Sequence, residues 1–208
     1  MSNTFTFDTK LNNYSKIALS LSGGIDSGLL LYYLIRSGYD VTCYTFVRNN
    51  DETITSAAKN MVNFIVENLQ KQFVRAKPFK IKDHVFVSFS GELTYPISSK
   101  RQAMNETYIE LINSKAIDCV VSGTTQHFVD DVNNEADPLK AQDALWSDKN
   151  VPIYRPFINF DKNWIKQNCD INNLTQEIVN RSVSCVWGSP PCEDCLWCKE
   201  KYTAFGVY

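Results

Sequence analysis

Short apolar runs rich in β-branched and aromatic residues alternate along this chain with longer stretches whose apolar residues recur every three or four positions. Residues 17–21 read as a first strand, and 27–36 as a helix closed by Gly38. Residues 41–47 form a second strand by composition. In 53–70, Ala58, Met61, Val62, Ile65 and Leu69 share one helical face. A third strand is expected over 85–89. A third helix follows over 99–113, turning Met104, Tyr108, Leu111 and Ile112 inward, and a fourth strand over 117–121. Residues 153–158, with Pro152 before them and Pro156 within, read as an edge strand.

Strands alternating with helices predict an α/β fold: a mostly parallel, twisted sheet with helices on both faces. Ligands of such sheets bind beyond the carboxyl ends of the strands. The polar segment 123–137 is long for a loop in a compact domain, which points to function. From about Arg181 the composition shifts to Cys, Pro and Trp. The expected division is therefore a ligand-binding α/β domain over 1–180 and a C-terminal four-cysteine appendage over 181–208, each carrying one motif.

The first motif is Ser22-Gly23-Gly24-Ile25-Asp26-Ser27, placed between the first strand and the first helix. Adjacent glycines let the backbone take positive φ and approach a ligand closely. The N–H groups of the helix start then face an anion, aided by the positive end of the helix dipole. Ser22 and Ser27 add hydroxyls. Asp26 does not favour a phosphate unaided, so its expected roles are capping the helix and holding Mg²⁺ beside the phosphates. The pattern is neither G-x4-G-K-[ST] nor G-x-G-x-x-G.

The second motif is Cys185, Cys192, Cys195 and Cys198, spaced C-x6-C-x2-C-x2-C. Four thiolates this close satisfy tetrahedral Zn²⁺ with no open position, the structural kind of site. Gly188 and Pro190-Pro191 supply a turn between the first ligand and the rest. An iron–sulfur cluster is the competing occupant. Cys43, Cys119 and Cys169 lie in apolar surroundings and read as buried thiols.

Composition bounds the partners. Among 208 residues, 44% are hydrophobic and 21% charged, ordinary for a globule with a core. A net charge of −2 gives no global pull toward nucleic acid. The N-terminus lacks a cationic segment followed by an apolar run, and the apolar run 29–35 is far shorter than a bilayer span. A cytoplasmic protein without membrane contact is expected, its seven cysteines serving as thiols or metal ligands.

The loop resembles the S-G-G-x-D-S signature of the pyrophosphate-loop ATPases, which cleave ATP between the α and β phosphates. Leu21 through Ser27 would then contact ATP, within a fold of the adenine nucleotide alpha hydrolase kind. Loop and cysteine cluster together look like the 7-cyano-7-deazaguanine (preQ0) synthase family, QueC, over most of the chain. That resemblance implies adenylation of 7-carboxy-7-deazaguanine, displacement of AMP by ammonia to an amide, and dehydration to the nitrile. It also implies ATP, Mg²⁺ and structural Zn²⁺, a homodimer, and roles for Arg101, after the third strand, and Lys162, which would meet ATP phosphates. Solvated helix-start cations are the alternative for both. Phe205 is similar to the family's aromatic after the last cysteine.

Two segments depart from that pattern. After the fourth strand this chain has 123–131, containing His127, Asp130 and Asp131, where the family shows S-G-Y-P-D-C-R. After the second it has Val47-Arg48-Asn49-Asn50 in place of Y-G-Q. These segments would line the substrate side. Three other functions therefore stand beside the first: a ligase coupling a deazapurine to a macromolecule in a phage or defence system, a tRNA-thiolating enzyme, and a module that binds ATP without chemistry.

Overall fold

The computed structural model describes residues 5–49, 51–74, 78–90, 99–125, 145–148 (backbone), 151–185 and 190–208. Asn50, Gly188, His127, Asp130, Asp131 and most of 123–137 lie outside them. The elements are β1 (Ile17–Ser20), α1 (Ile25–Arg36), β2 (Val41–Arg48), α2 (Glu52–Gln72), β3 (Asp83–Phe89), α3 (Ser99–Asn113), β4 (Cys119–Ser122), β5 (Leu145–Asp148), β6 (Val151–Tyr154), α4 (Lys162–Ile171), α5 (Thr175–Arg181) and α6 (Leu196–Phe205).

The strands make one sheet in the order β3-β2-β1-β4-β6-β5. The first five are parallel and β5 returns antiparallel on β6. The period-two alternation of strands divides the core. Ile17, Leu19, Cys119 and Val121 face one layer, formed with α1, α2, α4 and α5. Ala18 and Val120 face the other, with Tyr108 of α3. This is the expected three-layer α/β fold.

α2 shows how the pattern produces the packing. Asp51 caps it, accepting hydrogen bonds from the N–H groups of Thr53 (2.9 Å) and Ile54 (3.3 Å). Its five expected inward residues are all buried. On α3 only Tyr108 is buried, while Met104, Leu111 and Ile112 are half-buried.

The segment 153–158 departs from expectation. Its strand is β6, Val151–Tyr154, and it is interior: β4 flanks one side and β5 the other. Pro152 is tolerated because pairing with β4 begins only at Ile153. Pro156 falls in the turn that ends the strand.

The order reverses between β1 and β4: β2 and β3 lie to one side, β6 and β5 to the other. Loops leaving the carboxyl ends of β1 and β4 diverge there and open a crevice. The glycine loop occupies that position.

Candidate functional site

The loop is built by three constraints. Leu21 leaves β1 still bonded to β2, its N–H donating to the Tyr44 carbonyl at 2.9 Å, while its own carbonyl accepts from Thr45 Oγ1 at 2.8 Å. Gly23 then takes φ +78°, a conformation that L side chains rarely adopt. Gly24 stands at the N-cap of α1 with extended backbone (φ −85°, ψ 169°) and no side-chain cap.

Around this turn Ser22 and Ser27 face each other, Oγ to Oγ 3.1 Å. The Gly24 N–H donates to Ser22 Oγ at 3.3 Å, and Ser27 Oγ lies 3.1 Å from the Gly24 carbonyl, to which it can donate. The first-turn amides of α1 have no intrahelical acceptors, as at any helix start, and present a positive end to the crevice. Such a cradle fits a polyphosphate.

Asp26 does not cap the helix, contrary to the sequence-based expectation. It is a first-turn residue of α1, and its side chain turns to α4. Lys162 Nζ donates to Asp26 Oδ2 at 2.5 Å. Both side chains are largely withdrawn from solvent, at 9% and 22% exposure. Lys162 is the first residue of α4, held there by its Asp161 N-cap, whose carboxylate accepts the Trp164 N–H at 2.8 Å. The ammonium neutralises the one acidic group of the loop, which lets the loop admit an anion. Asp26 Oδ1 is buried and accepts no hydrogen bond. A divalent cation would satisfy that oxygen, so the residues fit Mg²⁺ held against phosphates.

The structure thus joins Asp26 and Lys162 directly. Arg101 lies apart from them in sequence position and element, exposed on the first turn of α3.

Two residues that sequence reasoning gave no role support the loop. A Cβ on Gly123, just past β4, would come within 2.9 Å of the Asp26 carbonyl carbon and 3.0 Å of the Ser27 nitrogen. Backbone meets backbone here, so only glycine fits; a lone Gly closing an apolar strand was the available signal. The other is Thr45, fully buried on β2, which also meets His84 Nε2 at 2.9 Å. Since the threonine proton goes to the Leu21 carbonyl, His84 serves Thr45 as the Nε2–H donor. Burial, with Lys59 nearby, pushes the His84 pKa down to about 4, keeping the ring neutral. His84 is accordingly a satisfied histidine.

The cysteine cluster is a second, separate constellation. The sulfurs of Cys185, Cys192, Cys195 and Cys198 lie within 4.8 Å of one another, with Cys192 and Cys198 at 4.0 Å. A tetrahedron with metal–sulfur bonds of about 2.3 Å separates its sulfurs by about 3.8 Å. The four thiols therefore fit a closed tetrahedral metal. Backbone amides assist: the Cys192 N–H donates to Cys185 Sγ and the Cys195 N–H to Cys192 Sγ, both at 3.3 Å. Hydrogen bonding from the backbone of Cys195, and then of Asp194, draws the Cys192 thiol down to about 6. Burial instead drives the lone thiols of Cys43 and Cys119 up to about 12 and raises Cys169 also, leaving them inert.

Phe205, at the end of α6, packs on the larger core layer. Among the described residues no helix is long and apolar enough to cross a membrane.

A glycine loop at the switch point of a parallel sheet, with an acid–lysine pair at its mouth, defines an α/β protein whose cradle suits an anionic ligand beyond the strand ends. Residues 14–186 match the family described as "Thiamine biosynthesis protein (ThiI)", and the chain belongs to that family, within the ATP-using pyrophosphate-loop superfamily. A curated relative, "Probable tRNA sulfurtransferase" of Mycoplasmopsis synoviae (strain 53), is 23% identical over 199 residues, covering 91% of this chain and 50% of its own. The chain thus spans about half the length of that relative. Among solved structures, NMN synthetase from Francisella tularensis superposes with a TM-score of 0.55 at 14% identity, over 97% of this chain and 82% of its own, a likeness of fold. The family match stops before Cys192, Cys195 and Cys198.

Proposed function

We propose that this protein is an adenylating enzyme: it uses ATP to place AMP on an oxygen of its substrate and releases pyrophosphate. The observation that carries the reading is the Asp26–Lys162 pair at the mouth of the Ser22–Ser27 loop, where a neutralised acid and free helix-start amides can hold a leaving pyrophosphate. The acceptor oxygen attacks the α-phosphorus as the bond from that phosphorus to the β-bridging oxygen breaks. A nucleophile then attacks the activated carbon, and AMP departs with the acceptor oxygen. In this scheme the first-turn amides and Lys162 stabilise the departing charge, and Asp26 is the residue that would hold Mg²⁺, which would supply further charge neutralisation at the phosphates.

The nature of the acceptor divides two finer readings. The family match and the curated relative support thiolation of a tRNA base, in which sulfur is the incoming nucleophile. The buried, unreactive Cys43, Cys119 and Cys169 leave the sulfur to be delivered by Cys192 or Cys195 or by a partner protein. The second reading is the QueC-like ligase acting on 7-carboxy-7-deazaguanine and ammonia. The four-thiol cluster favours it, because thiols closed around a structural zinc are withdrawn from sulfur transfer.

One assay tests the common step and separates the readings. The protein is given ATP, Mg²⁺ and, in parallel, unmodified tRNA with a persulfide donor or 7-carboxy-7-deazaguanine with ammonia. Pyrophosphate and AMP are expected with one acceptor, and mass spectrometry of that acceptor identifies the product. ADP and phosphate as the only nucleotide products would overturn adenylation.

A further inference from the structure

The backbone leaving α5 touches the anion loop. The Val183 N–H donates to the Gly23 carbonyl at 3.1 Å, and the Val183 carbonyl lies near Gly24, 3.8 Å from where a Cβ would stand. Cys185, the first thiol of the cluster, follows two residues later and is buried. The chain is also fixed on the N-terminal side of Val183. Ser182 is buried and its Oγ donates to the Val179 carbonyl at 2.9 Å. α5 leans on α1, with Ile178 Cδ1 3.1 Å from a Cβ placed on Gly28.

This contact has a directional consequence. A trans peptide is planar, and its C=O and N–H point to opposite sides. Gly23 at φ +78° and Gly24 with no side chain leave the peptide between them with little steric resistance to flipping. With its carbonyl held outward by Val183, the same peptide points the Gly24 N–H inward, where it meets Ser22 Oγ. Reversed, it would turn a carbonyl oxygen into the cradle and repel phosphate.

We propose that Val183 is a positioning residue for the anion loop, and that metal held by Cys185, Cys192, Cys195 and Cys198 anchors it, so that cluster occupancy sets nucleotide affinity. The far side of the cluster reaches the same site: Cys198 lies in α6, which packs against α4, the helix that carries Lys162. The four thiols are thus tied to the loop through Val183 and, through α4, to the lysine at its mouth. The inference rests on the readings that the loop binds ATP and that the cluster holds metal.

The test uses the full chain, purified with its metal and after chelation under reducing conditions. Two readouts are taken: hydrogen exchange of the 21–28 amides, and affinity for Mg²⁺–ATP by calorimetry. Stripping the metal is expected to speed exchange in 21–28 and to weaken ATP binding about three- to tenfold, the worth of one ordinary hydrogen bond. Val183→Pro, which lacks the N–H, should do the same with metal content intact, whereas Val183→Ala, which keeps it, should match the parent. Unchanged loop exchange and affinity after metal loss would overturn the coupling while leaving ATP binding in place. Failure of the metal-replete protein to bind ATP overturns the loop reading and the coupling together. Protein that never contains metal overturns the cluster reading and the coupling but not the loop.

Discussion

Lys162 Nζ lies 2.5 Å from Asp26 Oδ2, an ion pair that joins the first turns of two helices across 136 residues of chain. Each partner makes the other acceptable. Without the ammonium, a carboxylate would sit at the mouth of an anion cradle; without the carboxylate, an ammonium would lie buried beside a helix start that is already positive.

Lys162→Met should therefore cost roughly 1–3 kcal/mol of stability, because it strands the Asp26 charge. Adding Asp26→Asn should restore part of that loss, since both charges are then gone. Urea midpoints of the two single variants and the double variant measure the coupling. Pyrophosphate release should fall about 100-fold or more in all three, as expected on losing a preorganised charge from a reacting site. A double variant no more stable than Lys162→Met would show that the pair does not govern this corner of the fold.

Two glycines separate folding from binding. Gly123→Ala should destabilise by about 1–3 kcal/mol, since its Cβ meets the backbone of Asp26 at 2.9 Å and neither segment can yield. Gly24→Val should fold, because a Cβ there meets Ser22 Oγ at 3.3 Å and the Val183 carbonyl at an ordinary 3.8 Å, and the backbone is extended. It should instead lose Mg²⁺–ATP binding by filling the cradle. Melting curves and calorimetry on the two variants should give opposite patterns.

How far the sequence carried this reading depends on where the information lies. The first four parallel strands and the three helices between them were legible because short β-branched and aromatic runs alternate with longer stretches of apolar residues three and four apart, most clearly in the five inward residues of α2. The β5–β6 hairpin was not. β5 reads Leu-Trp-Ser-Asp, two apolar residues followed by two polar ones, which is neither an alternation nor an apolar run, and Pro152 argued for an edge. The loop and the four cysteines were visible as local spacings. The Asp26–Lys162 contact was not, because it pairs residues 136 apart and no local spacing links the starts of α1 and α4. Nor was the Asp26 cap misassignment avoidable from spacing alone: Gly24 takes the N-cap because φ at Gly23 turns the chain one step earlier.

The His84–Thr45–Leu21 chain predicts a pH dependence. Burial lowers the His84 pKa from 6.5 to about 4, so the folded protein resists a proton that the unfolded chain accepts. Stability should be level above about pH 6.5, fall as pH drops from 6.5 to 4, and level again below, where both states are protonated. Because the ring is only half-buried, the loss should be about 1–2 kcal/mol after allowance for screening. Urea midpoints between pH 4 and 7.5 should show it, and His84→Gln should remove this component of the slope.

The cluster predicts one zinc per protomer on Cys185, Cys192, Cys195 and Cys198, with a structural role. Four thiolates leave no coordination position for water or substrate, so the metal has no Lewis-acid part in the reaction. Its contribution is to close a segment in which Cys192 is exposed and Cys195 half-exposed, and which is too short to build a core of its own. Chelation should lower Tm, each kcal/mol of lost stability moving it by about 2–4 °C in a chain of this length. Cys195→Ser should lose metal and stability first, and activity in proportion to the unfolded fraction and the loosened loop. Elemental analysis and melting curves on the same preparations check both points. If anaerobically purified protein carried iron and absorbed visible light, the site would be an iron–sulfur centre. The thiols would then belong to redox or sulfur chemistry, and the tRNA-thiolating reading would gain the sulfur source that the buried cysteines do not offer.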